Sequence, residues 1–180
     1  MPWLETSPVE QREQFIRDHR AGLYMMTELC ARYDVSRKTG HKWLERFDEA
    51  GRRGATAMGD ALRGLRIPIG TVLTSPTYRA IETVKFAQLG SPAAVAELGD
   101  GGQSMQGITA EQAAWLRTRV SEVPRSGNTI LVTHQPNLSR AFPDWGPTVA
   151  DGETVILRPD GKGGAALVGR ISIEEWPRLR

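Results

Sequence analysis

The period of the apolar residues changes near residue 54, and that change constrains the chain more than any other feature. Upstream, every segment has helical spacing: PVEQREQFIRDHRAG opens with Pro8 and stops near Gly22, and MMTELCARYDV places Met25, Leu29, Cys30 and Tyr33 at helical intervals. SRKTGHKWLERFDEAG then starts from Ser36, an N-cap residue type, and is expected to stop at Gly51. Downstream, helices alternate with apolar strands. ATAMGDALRGL reads as a helix, PIGTVLTSP as a buried strand, TYRAIETVKFAQLG as a helix, and ITAEQAAWLRTRVSEVP as a helix capped by Thr109. NTILVTH reads as a second buried strand, and ETVILRP, DGKGG and AALVGRISI as a hairpin. Residues 91–107, rich in Gly, Ala and Ser without a period, are expected to form a loop. This alternation predicts an α/β sheet behind a small all-helical domain.

Charge and length narrow the function classes. The chain has 180 residues, 23 basic and 21 acidic, for a net charge of +2. That balance argues against a polybasic nucleic-acid binder or a membrane-surface protein, while leaving room for a local basic face. No apolar run approaches the roughly 18 residues of a membrane helix, and the first residues lack the pattern of a signal peptide. The single Cys30 excludes an internal disulfide and fits a cytoplasmic protein; its helical setting marks it as a small buried hydrophobe.

In the helical part, the second and third helices are three residues or so apart, which is helix-turn-helix spacing. On the third helix Val35, Thr39, Gly40, Trp43, Leu44 and Phe47 fall on one side. Arg37, Lys38, His41 and Lys42 fall on the other, where a recognition helix meets DNA; Glu45, Asp48 and Glu49 come later. Residues 1–51, through MPW.E and LCARY.VSRKTG.KWL..F...G, resemble the N-terminal helix-turn-helix of bacterial insertion-sequence transposases of the DDE integrase class. The resemblance implies binding of DNA through residues 36–49. Asp34 departs from it, since Gly is usual in that turn. No carboxylate-bearing catalytic domain follows, so transposase activity is not expected.

His134 ends the apolar run NTILVTH, where an α/β sheet presents ligand-binding groups. VLTSPTYRAIETV, ILVTHQPNL and the tail DGETVILRPDGKGGAALVGRISIEEW are similar to segments of the histidine phosphatases, the phosphoglycerate-mutase-like superfamily. The resemblance implies that Arg79 grips phosphate and that His134 is the second active-site His, in contact with the transferring phosphoryl group; Ser75 and Thr83 lie near enough in sequence to support the pocket. Arg suits that role because its forked donors match phosphate oxygens in pairs. The family's nucleophilic His, in an Arg-His-Gly motif on a first strand, has no counterpart; His19 and His41 lie in helical patterns.

The expected architecture is therefore α/β: a helix-turn-helix domain over 1–54 and an incomplete three-layer α/β histidine-phosphatase-like domain over 55–180, joined as in a fusion of two genes. The lost strand would leave a sheet exposed, a route to self-association. The expected function is a catalytically impaired phosphatase relative that binds a phosphorylated small molecule, with a module that binds DNA. An active phosphomonoesterase using His134 and Arg79 is one alternative, and a DNA-binding regulator that senses phosphate is another. No cofactor or metal is expected, because His19, His41 and His134 share no ligand spacing. LTSPT is not a nucleophile elbow, and GDGGQSMQG is not a phosphate loop.

Overall fold

A computed structural model describes residues 8–20, 22, 24–100 and 107–179. The MPW.E piece and residues 101–106 of the Gly-rich stretch lie outside them. The chain divides into two compact units, Met1–Ala50 and Gly51–Arg180, and no helix among the described residues is long and apolar enough to cross a membrane.

The first unit consists of α1 (Pro8–Arg20), α2 (Met26–Arg32) and the first half of α3 (Arg37–Gly64). Its core is Phe15, Leu29 and Cys30, all buried, with Met26, Tyr33, Val35, Trp43 and Leu44 around them. Phe15 meets Tyr33 and Trp43 edge to face at 5.5 and 5.3 Å between ring centres. Burying a side chain of that size stabilises by about 1.5–3 kcal/mol. Gly40 lets α3 approach this core, since a Cβ there would lie 2.8 Å from Phe15 Cζ and 3.1 Å from Cys30 Sγ. The turn between α2 and α3 is held at both ends. The amide of Asp34 donates to the carbonyl of Ala31 at 3.3 Å and that of Val35 to Cys30 at 3.0 Å, with Asp34 at φ 49°, which is a Schellman cap built on a non-glycine residue. Ser36 Oγ then accepts from the Thr39 amide at 3.1 Å, as an N-cap does. Tyr33 donates its hydroxyl to Asp18 of α1 at 2.6 Å; burial first, and then that carboxylate, push the phenol up from its ordinary value.

Gly51 does not end a helix. α3 continues to Gly64, so the expected break near 51–54 is corrected to one uninterrupted helix. Tertiary packing outweighs the roughly 1 kcal/mol that each interior glycine costs. Met58 and Leu62 pack on Val72, Val84, Ala87 and Leu89. A Cβ on Gly59 would collide with the Ala87 carbonyl, and one on Gly54 with Ile173. The real stop is a second Schellman cap at Arg66, φ 54°, with Ile67 donating to Leu62 and Arg66 to Arg63, both at 2.9 Å.

The second unit holds a parallel sheet in the order β2-β1-β3: β1 (Ile69–Thr74), β2 (Ala93–Ala94) and β3 (Asn128–Val132). Residues 91–107 are thus not wholly loop; they include β2 and a 3-10 turn at Ala96–Leu98. Leu73 pairs with Leu131 and Thr74 with Val132, and the register shifts by one residue at Gly70. α4 (Tyr78–Phe86) and the second half of α3 cover the Val72, Ile130 and Val132 side. α5 (Ala110–Ser121) and α6 (Gln135–Ala141) cover the Leu73 and Leu131 side through Ala113, Leu116 and Ala141. α6 has no counterpart among the elements expected from sequence. α5 starts from Thr109, the cap the sequence predicts, and the structure adds a full capping box with Gln112. α4 ends in a third Schellman cap, on Gln88 at φ 54°. β4 (Thr154–Pro159) and β5 (Ala165–Ile171) form the expected antiparallel hairpin, whose turn is held by Asp160 accepting from the amides of Lys162 and Gly164 at 2.7 and 2.9 Å. Among the described residues, no strand pairs with the outer edge of β3.

Candidate functional site

β1 is the central strand, and the chain leaves it toward β2 on one side and returns as β3 on the other. The carboxyl ends of β1 and β3 are therefore the point at which the winding reverses, where α/β sheets form their ligand crevice. Two segments meet there. Ser75 follows β1, and its amide donates to the Val132 carbonyl at 2.8 Å. His134 follows β3 and stands at the N-cap position of α6, with no capping bond from its side chain to that helix.

Ser75 is fully buried, and its Oγ lies 2.9 Å from His134 Nε2. Thr77 Oγ1 lies 3.2 Å from the same nitrogen, and the Thr77 amide donates to Ser75 Oγ at 3.2 Å. This Ser-Pro-Thr turn thus fixes the imidazole by one edge. The other edge, Nδ1, is 3.8 Å from Asp100 Oδ2, and Arg79 Nη2 is 3.6 Å from that same oxygen. A carboxylate on the Nδ1 side favours the tautomer that carries its proton there, leaving Nε2 to accept from a hydroxyl. Arg79, near the start of α4, has a side chain 41% exposed, against 28% for Asp100 and 11% for His134, so the guanidinium is the most accessible of the three groups and the imidazole the most buried.

The sequence-based candidates divide accordingly. Arg79, His134 and Ser75 converge. Thr83 does not join them, because its hydroxyl donates to the Arg79 carbonyl at 3.0 Å within α4. Sequence reasoning misses Asp100, Thr77 and Asn137. Asp100 lies in a stretch with no period, so no sequence signal marks it. Thr77 has one, a hydroxyl two residues after Ser75, which is the spacing of a Ser/Thr turn. Asn137 is 1% exposed and donates to the carbonyls of Gly99 at 2.9 Å and Glu97 at 3.2 Å, pinning the segment that carries Asp100. The remaining histidines, His19 on α1 and His41 on α3, belong to the first unit, and neither follows a strand.

In the first unit Arg37, Lys38, His41 and Lys42 are all exposed on the first two turns of α3. Gly40 is buried, and Thr39, Trp43, Leu44 and Phe47 are half-buried, on the opposite side. Glu45, Asp48 and Glu49 are exposed further along. The helix thus carries cations at its start and carboxylates beyond them.

The chain matches no family model, no curated protein sequence and no solved structure.

Proposed function

We propose that residues 51–180 bind the phosphoryl group of a small phosphorylated molecule between Arg79 and His134 without turning it over, and that residues 1–50 bind DNA through the start of α3. The first half of this reading is carried by one observation: Arg79 and His134 approach the same carboxylate oxygen at the reversal point of a parallel sheet. Two nitrogen groups that share one oxygen anion are arranged to share a phosphate oxygen. The resemblance of VLTSPTYRAIETV and ILVTHQPNL to histidine phosphatases supports the same chemistry. Turnover in that family needs an attacking imidazole after a first strand. Here the described chain before β1 is helical, and Ser75 is too buried to replace that imidazole.

DNA binding is supported by the four exposed side chains Arg37, Lys38, His41 and Lys42, by the short turn before α3, and by the resemblance of residues 1–51 to a transposase module. A single module that neutralises few phosphates binds weakly and with strong salt dependence.

The deciding experiment measures both binding and turnover. Inorganic phosphate or vanadate is titrated against the whole protein, and p-nitrophenyl phosphate is offered as a substrate. Binding that is abolished in Arg79→Gln, without hydrolysis, is the expected result. Vanadate-sensitive hydrolysis that disappears in His134→Ala would instead make the protein a phosphomonoesterase. Absence of any anion binding removes the reading.

A further inference from the structure

We infer that Asp100 sets the anion affinity of this site by holding its own carboxylate against Arg79 and His134, so that an incoming phosphate must displace it or share the site with it. The inference rests on the reading of Arg79 and His134 as an anion pocket. It adds a residue that neither the sequence pattern nor that reading assigns.

The arrangement is built into the fold. Asp100 follows a segment that three side chains from neighbouring elements tie down. Thr133, at the end of β3, donates to the Leu98 carbonyl at 3.0 Å. Gln112 of α5 donates to the Gly99 carbonyl at 3.2 Å, and Asn137 of α6 donates to the same carbonyl at 2.9 Å and to Glu97 at 3.2 Å. Leu98 between them is fully buried. The backbone that delivers Asp100 is thereby held from beneath, and the carboxylate extends from it toward Arg79 and His134.

The distances say how firmly the carboxylate sits on these two groups. One oxygen lies 3.6 Å from Arg79 Nη2 and 3.8 Å from His134 Nδ1. Charge-assisted hydrogen bonds to a bound oxyanion close to roughly 2.7–2.9 Å. Through that oxygen the carboxylate therefore offsets the charge of Arg79, and faces the imidazole Nδ1 of His134, at longer than bonding range. A phosphate has more oxygens and a larger charge, and can make the shorter bonds. It does so next to a like charge whenever Asp100 stays in place. At 28% and 41% exposure for Asp100 and Arg79, solvent screens the pairs enough for the carboxylate to be displaced, while its charge still counts against a second anion.

The test compares inorganic phosphate binding by calorimetry in the wild-type chain, Asp100→Asn, and Asp100→Asn combined with Arg79→Gln, each first shown by circular dichroism to be folded. Asn keeps the size of the residue and removes its charge, exchanging one acceptor oxygen for an NH2 donor. The expected result is about tenfold tighter binding in Asp100→Asn, roughly what a partly screened unit charge at this range is worth, and disappearance of that gain in the double variant. Equal affinity in wild type and Asp100→Asn overturns the inference and leaves the pocket standing. Weaker binding in Asp100→Asn overturns it too, by making Asp100 a support of the pocket. No binding in either protein, even at millimolar phosphate, overturns the pocket and the inference together.

Discussion

His134 Nε2 lies 2.9 Å from Ser75 Oγ, across the carboxyl ends of two adjacent parallel strands. The bond joins residues 59 positions apart in sequence and fixes the imidazole against the Ser-Pro-Thr turn. Ser75→Ala leaves Thr77 Oγ1, at 3.2 Å, as the remaining hydroxyl on that nitrogen. The expected outcome is a several-fold loss of phosphate affinity, smaller than the loss in His134→Ala, with a small fall in melting temperature. A removed neutral hydrogen bond is worth about 1 kcal/mol. Affinity unchanged in Ser75→Ala would show that the imidazole is positioned by other means.

Lys38 and Lys42 test the proposed contact with DNA. Replacing both with Ala is expected to weaken binding to unrelated duplexes alike. The slope of log affinity against log salt should fall by about 0.9 for every phosphate the two ammonium groups no longer neutralise. Exchanging Glu49 for Ala serves as a control further along the helix. An unchanged slope in the Lys variants would remove α3 from the DNA interface.

The helix caps give opposite signs at two kinds of position. Asp34, Arg66 and Gln88 take φ values of 49°, 54° and 54°, where a side chain is strained. Glycine at any of them is expected to stabilise the fold by about 0.5–1 kcal/mol. Gly51 is the reverse case, with no atom within 4 Å of a Cβ and a helical backbone. Gly51→Ala is expected to stabilise by about 1 kcal/mol. Loss of stability in that variant, read by urea unfolding, would mean that the helix ends there after all.

Gly40→Ala is expected to destabilise the first unit by about 1–3 kcal/mol, because its Cβ would press on Phe15 Cζ at 2.8 Å. DNA binding is expected to fall with it. Thermal unfolding of the first unit at the wild-type temperature would contradict the packing described.

Acid sensitivity follows from Glu153. The guanidinium of Arg170 holds its carboxylate at 2.5 and 2.6 Å, and this pairing, more than the Ala150 amide, keeps the carboxyl below its ordinary value of 4.5 against the opposing effect of burial. The folded state therefore binds that proton less readily than the unfolded chain. The stabilisation is present above the ordinary value and is lost as pH falls through the depressed one. Melting temperature is expected to drop as pH falls below that ordinary value, and Glu153→Gln is expected to lower it at neutral pH and flatten that drop. A Gln variant with the wild-type pH profile would assign the acid sensitivity elsewhere.

Period and punctuation make much of this structure readable. The strands at Ile69–Thr74 and Asn128–Val132, the Thr109 cap, the Ser36 cap and the closing hairpin follow from apolar runs bounded by turn residues. So does the position of His134 just beyond the end of β3, whereas Arg79, within α4, is singled out only by the resemblance. What escapes is set by tertiary packing. The glycines in GRRGATAMGD suggest a break, yet Gly54 and Gly59 are there because Ile173 and Ala87 approach the helix. α6 is too short, at seven residues, to show a period, although Pro136 in its first turn is a start signal. Asp100 is one acidic residue in an aperiodic stretch. Its meaning comes from Asn137, 38 positions beyond Gly99, which holds the backbone just before it.

The lateral position of β3 shapes how the second unit breathes. β1 has a neighbour on each side at Leu73 and Thr74, whereas β3 is bonded along one side only among the described residues. Deuterium should thus enter β3 from its open flank well before it reaches the middle strand. His134 follows the end of that strand, and the Ser75 hydroxyl ties its imidazole to the end of the middle strand, across the pair rather than along β3.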